Sequence, residues 1–199
     1  MKTSLRLVLC FLFLIVPVMA HAATWEIDPA HASIEFRVRH LMVTWVKGTF
    51  PDVAGTVDID ETDLTKSQVN VTLGTASIDT NNAKRDEHLR SADFFDTGSY
   101  PAMTFVSKKI VAEGGLLRQV IGDLTIRGTT REVTLSVGEL TPAVKDPWGN
   151  TRRGATATAE INRKDFGLTW NKALETGGVV VGDEVSIVIE IEMIKAKEK

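Results

Sequence analysis

Residues 33–50 read SIEFRVRHLMVTWVKGTF, and the alternation in this stretch decides the fold. Ile34, Phe36, Val38 and His40 fall on one side, Ser33, Glu35, Arg37 and Arg39 on the other. A period of two marks a strand with one face in a core and one in water, the habit of antiparallel sheets. His40 is the odd member of the apolar face, because a buried imidazole is costly unless something hydrogen-bonds it. Two roles fit it: a satisfied core histidine, or a polar point in a mostly apolar cavity. The spacing predicts a strand from Ser33 toward Val46 and a turn at Lys47-Gly48, after an opening segment, Trp25 to Ala32, whose Asp28-Pro29 resists regular structure.

Downstream, the same period recurs. Val53, Gly55, Val57 and Ile59 alternate in a second strand, and Val69, Val71 and Leu73 in a third that continues toward Ile78. Asn81 to Arg90 reads as a short helix capped by Asp79-Thr80. Met103 and Phe105 open a fourth strand, Gly114-Gly115 suits a tight hairpin, and Val120, Gly122, Leu124 and Ile126 share one side of a fifth. After a turn at Gly128-Thr129-Thr130 come a sixth strand (Val133, Leu135, Val137), a loop over 141–151, a seventh strand over 154–161 and an eighth, Val185 to Met193. Eight strands, one short helix and no helix repeating between strands disfavour parallel βαβ units and fit an up-and-down antiparallel barrel, with a sandwich as the alternative.

Residues 1–22 read as an export leader rather than part of the fold. Lys2 and Arg6 precede the apolar run Leu7 to Val18, and Ala20-His21-Ala22 offers a small-x-small cleavage site before Ala23. That run falls short of the roughly 20 residues that span a bilayer, so stable membrane insertion is not expected. Cys10 follows Leu9, where a lipid-attachment site wants a small residue. Removing 22 of 199 residues leaves 177 with no cysteine, enough for one domain with an ordinary core and no disulfide or thiol chemistry. Losing Lys2 and Arg6 takes the net charge from −3 to −5, which gives no electrostatic reason to expect nucleic acid as a partner.

Positive signals for catalysis or metal binding are lacking. The chain has no Gly-x-Ser-x-Gly elbow, no His-Glu-x-x-His and no glycine-rich phosphate loop. His31, His40 and His88 lie far apart in sequence, although distant histidines can still converge on a metal.

Four stretches together resemble the YceI-like family of exported lipid-binding proteins: WEIDPAHASIEFRVRHLMV from Trp25, RDEHLRSADFFD from Arg85, GDLTIRGTTREVTL from Gly122, and RKDFGLTWN from Arg163 with the later VGDEVSI. The resemblance implies an all-β, elongated eight-stranded antiparallel lipocalin-like barrel in the periplasm, whose interior takes a long polyisoprenoid, an isoprenoid quinone or a similar amphiphile. The Gly-x-Trp of true lipocalins is missing from the first strand, so only the architecture is shared. No cofactor is implied beyond that ligand, and a homodimer is left open. A lipid-free interaction or stress-response module and a weak lipid-acting enzyme are the competing readings.

On this expectation the ligand meets Phe36, Val38, His40, Phe50, Arg90, Phe94, Phe95, Met103, Phe105, Ala157, Phe166 and Trp170. Arg90 or His88 would reach a head group at the mouth, since guanidinium donors suit phosphate or carbonyl oxygens, unless the helix carries only a solvated charged face. Phe94 and Phe95 either line the tail's path or plug one end. Ala155, Ala157 and Ala159 alternate on the seventh strand, which leaves room inside unless bulky residues such as Phe36 or Phe105 fill it. Arg163 and Asp165 are expected to form a structural ion pair, and Arg127 to face outward.

Overall fold

Alternating side chains fix which face of each strand turns inward, and the ladders between them close a ring. In this computed structural model, residues 22–175 and 177–197 are described; the expected leader lies outside them except for Ala22. The strands are β1 (Ala23–His40), β2 (Thr44–Thr49), β3 (Val53–Ile59), β4 (Gln68–Gly74), β5 (Ala102–Glu113), β6 (Leu116–Ile126), β7 (Thr129–Leu140), β8 (Val144–Lys145), β9 (Thr151–Asn162) and β10 (Val181–Lys195); the helix is α1 (Ala83–Arg90). Neighbours run β10-β1-β3-β4-β5-β6-β7-β9, and β9 pairs back onto β10. All these pairings are antiparallel, so eight strands form a closed barrel, with β2 and β8 added beside β1 and β9.

Several local expectations are corrected, the loop over 141–151 among them, since it holds β8. The opening segment belongs to β1, which begins at Ala23; Asp28-Pro29 falls in a bulge between the pairs Ile27↔Met193 and Ala32↔Ile191. A bulge tolerates the proline's missing N–H and bends the strand without ending it. Further along, the strand does not reach Val46. It reverses at Leu41 and Met42, both with positive φ (52° and 59°), and returns as β2, so that Lys47-Gly48 lies inside a strand. Gly48 sits directly opposite Phe36, where a Cβ would come within 2.5 Å of the ring, which explains the glycine.

Elsewhere the turns follow their glycines. Gly114 and Gly115 both take positive φ (61° and 76°), as a two-residue hairpin requires. The third strand ends at Gly74, with a 3-10 turn over Thr75–Ser77 carrying the chain toward α1. Asn82 caps that helix by accepting from the Arg85 N–H at 3.1 Å, and α1 buries only Asp86, whose carboxylate accepts from the Thr80 N–H at 3.0 Å and the Thr80 hydroxyl. The packed core falls into three clusters. One joins Phe50, Ile78, Phe94, Phe166 and Leu168, a second joins Trp25, Ile27, Val53, Ile59 and Met193, and a third joins Phe105, Ile110 and Val120.

Candidate ligand-binding cavity

Between these clusters the barrel is not filled. The ladder places Ala155, Ala157 and Ala159 beside Ile191, Ile189 and Ile187 of β10, while Val137 of β7 flanks Ala157 on its other edge. Ala155 and Ala157 leave volume that their neighbours do not take up, whereas Ala159 packs into the core with Phe50 and Phe166. The result is an apolar cavity of about 260 Å³. Every strand of the ring contributes to its wall: Phe36 from β1, Val57 from β3, Leu73 from β4, Phe105 from β5, Val120 from β6, Leu135 from β7, Ala157 from β9 and Ile189 from β10. Leu89, Phe94, Phe166 and Leu168 line it at one end, and Leu64, Leu117 and Leu140 at the other. β9 has twelve residues; at about 3.3 Å per residue and a barrel tilt near 40°, such a strand covers roughly 30 Å along the axis. The lining runs along β10 from Val181 to Met193, so the void is elongated along the strands.

Polar residues touch this wall only with their carbon atoms. Glu35 is paired with Lys47 at 3.2 Å, the Ser67 hydroxyl accepts from the Asp60 N–H at 3.1 Å, and the Thr156 hydroxyl accepts from the Glu139 N–H at 3.0 Å. Arg163, 5% exposed, donates to the carbonyls of Gly182 (2.8 Å), Trp170 (3.0 Å), Val181 (3.4 Å) and Leu168, and to Asp183 at 3.3 Å. Burial pushes its pKa down, partly offset by the Asp183 charge. Its donors are spent holding the 163–171 segment to the start of β10. Among the described residues no polar atom faces the space, so the cavity selects by apolar fit and burial rather than by a hydrogen-bond pattern.

Of the twelve residues expected at the ligand, nine line the cavity: Phe36, Val38, Phe50, Phe94, Phe95, Met103, Phe105, Ala157 and Phe166. Phe94 and Phe95 both line the space and close its end, while Phe36 and Phe105 border the void without filling it. His40, Arg90 and Trp170 are not in the wall. His40 is half-buried at the end of β1, past a register shift that follows Val38. Arg90 donates to the Ala76 and Ile78 carbonyls at 2.8 and 2.7 Å, tying α1 to the preceding turn. Trp170 packs from behind, against Phe94 and against His88, which is itself paired with Asp93 at 2.9 Å. The expected Arg163–Asp165 pair is replaced by Arg163–Asp183, because β9 stops at Asn162 and 163–166 form a 3-10 turn. Arg127 donates to the Ala92 and Gly167 carbonyls.

A second titratable cluster lies at the β1 bulge. The Arg152 guanidinium contacts Asp28 at 2.8 Å, Asp146 at 2.6 Å and Glu192. His31 and Arg152 together hold the Asp28 carboxyl down to about 2, and Arg152, with help from Asn150, does the same for Asp146. Among the described residues, Asp28, His31 and Glu192 form the group with metal-ligating spacing, their donor atoms within 4.8 Å of one another. A cation there would compete with Arg152 for the same oxygens.

A closed eight-stranded antiparallel barrel around a long apolar cavity places the protein in the lipocalin-like architectural class. Residues 25–193 match the YceI-like domain, and the chain belongs to that family. Protein YceI of Escherichia coli O157:H7 is 41% identical over 180 residues, covering 89% of this chain and 90% of the relative. Among solved structures, the YceI protein of Campylobacter jejuni is 31% identical over 80% of this chain and 90% of that one, with a TM-score of 0.67. Burkholderia cenocepacia BcnA (24% identity, TM-score 0.69, 83% and 98% covered) and a polyisoprenoid-binding domain from Saccharophagus degradans (14%, 0.63, 88% and 100%) share the fold.

Proposed function

We propose that the protein is a non-catalytic carrier of one long apolar amphiphile, a polyisoprenoid or an isoprenoid quinone, held lengthwise in the barrel. The observation that carries this reading is the apolar cavity inside the barrel, lined on β9 by Ala155 and Ala157. Burying each methylene contributes about 0.8 kcal/mol, so a chain of many carbons binds tightly without a single polar contact. The family membership and the polyisoprenoid-binding relative from Saccharophagus degradans support the ligand class. The basic and apolar leader sequence supports export, which in a two-membrane cell means the periplasm. Extraction of the purified protein with denaturing organic solvent, followed by mass spectrometry, tests the proposal. A lipid recovered at about one per chain is the expected result; protein that is lipid-free as isolated and binds no isoprenoid on incubation would contradict it.

A further inference from the structure

The β1–β2 hairpin ends in an apolar tip that the fold does not use. Leu41, Met42 and Val43 are 39%, 59% and 79% exposed, and none of them belongs to a core cluster. Leu41 and Met42 also occupy positive-φ positions, where glycine or asparagine is the unstrained choice. Large apolar side chains held in an unfavourable backbone conformation and turned to water suggest a role outside folding. Behind the tip, one face of the hairpin carries Arg37, Arg39 and Trp45, with Lys47 beside them paired to Glu35 at 3.2 Å. The Arg39 and Arg37 guanidiniums lie 4.2 and 5.0 Å from the Trp45 ring centre, and neither arginine has an acidic partner among the described residues. A cationic, aromatic collar thus sits on a protein whose net charge is negative.

We infer that this hairpin is a membrane-docking element, whose apolar tip enters the surface of an anionic bilayer while the arginine–tryptophan collar rests at the headgroups. Tryptophan and arginine suit that interface because each has an apolar body and a polar end, and basic side chains there are drawn to anionic lipid. A second copy of the chain is the poorer occupant, since three side chains at a hairpin tip fall well short of the roughly 800 Å² per partner of a stable interface. The docking site also adjoins the cavity. The Leu41 N–H donates to the Val180 carbonyl at 2.8 Å, and Val181, like Val38 on the hairpin itself, lines the wall. On the carrier reading above, a docked hairpin would bring this end of the barrel to the lipid phase.

The test uses residues 23–199, which contain the whole closed barrel, because the apolar leader would bind vesicles by itself. Co-sedimentation with phosphatidylethanolamine–phosphatidylglycerol vesicles is expected for the wild type, with partition falling at least tenfold in Met42→Asp/Val43→Asp. Arg37→Gln/Arg39→Gln is expected to lower partition on the order of tenfold and to remove most of its dependence on salt and on phosphatidylglycerol. A third variant, Leu41→Asn/Met42→Gly, relieves the backbone: it should melt no lower than wild type and still lose vesicle binding, which separates docking from folding. Wild type that stays in the supernatant, or tip variants that partition as wild type does, would overturn the inference. So would tip variants that change the mass in sedimentation equilibrium without vesicle binding, which would mark an interface between copies. Extracting lipid from the same samples keeps the two proposals distinct: docking lost with lipid retained bears on the hairpin, lipid absent with docking retained bears on the carrier.

Discussion

Ala157 lies between Ile189 and Val137 on the inner wall, and its side chain is one methyl group where a self-filling barrel would place a larger hydrophobe. A phenyl ring at this position has open volume ahead of it. Ala157→Phe is therefore expected to melt within a few degrees of wild type when both are lipid-free, while lipid recovered from the purified variant falls severalfold or more. Overpacking an interior already full would instead cost roughly 1–3 kcal/mol and leave lipid content unchanged. The alanine row was legible in the sequence because strand parity alone turns it inward, and Phe36, Val38, Met103 and Phe105 followed from the same rule. His40 keeps its parity against β2 but lies at the end of β1, where the ladder with β10 shifts, and it is half-buried and outside the cavity wall. Arg90 and Trp170 lie outside the cavity wall for another reason. Side chains on a helix or in an irregular segment have no period to follow, and both met closer partners, the carbonyls of residues 76 and 78 for Arg90 and Phe94 for Trp170.

At the scale of single elements, β1 shows how a strand survives its own irregularity. The bulge at Asp28-Pro29 turns Asp28 toward Arg152 of β9, which also binds Asp146 from the loop after β8 and Glu192 of β10. Four segments are thus tied through one guanidinium. Asp28 and Asp146 have folded-state values of about 2 against an ordinary 3.8, so the unfolded chain takes up protons first as pH falls. The stability they contribute is complete above about pH 5 and is lost as pH drops through 3.8 toward 2. Thermal melts should show this as a falling melting temperature across that window. In Arg152→Met three carboxylates crowd without their cation, so the variant is expected to melt lower at pH 7 and to lose much less, or even recover, on acidification; parallel curves for the two proteins would contradict this role. None of these ties was visible in the sequence, where Asp28 and Arg152 are 124 residues apart. The hairpin at Leu41-Met42 was equally hidden. Turn prediction rests on residues that favour positive φ, and these two do not. Gly114-Gly115, which do, marked their turn correctly.

For the whole molecule, closure matters more than any single contact. Pairing β9 with β10 removes the sheet's open edges and leaves an interior whose length is set by the strands and whose width is set by the side chains. The count of eight ring strands was readable from the periodicity; whether the ring enclosed space was not, because filling depends on side chains brought together from eight separate strands. The account holds that this space binds a chain by burial along its length, with the head group contributing little. The most direct measurement is the affinity of lipid-free protein for isoprenoids that share one head group and increase one isoprene unit at a time. The account predicts a severalfold or greater gain in affinity per unit, each methylene being worth about 0.8 kcal/mol when fully buried, up to the chain length that fills the barrel and no further gain beyond it. Affinity that follows the head group and stays flat with chain length would contradict it.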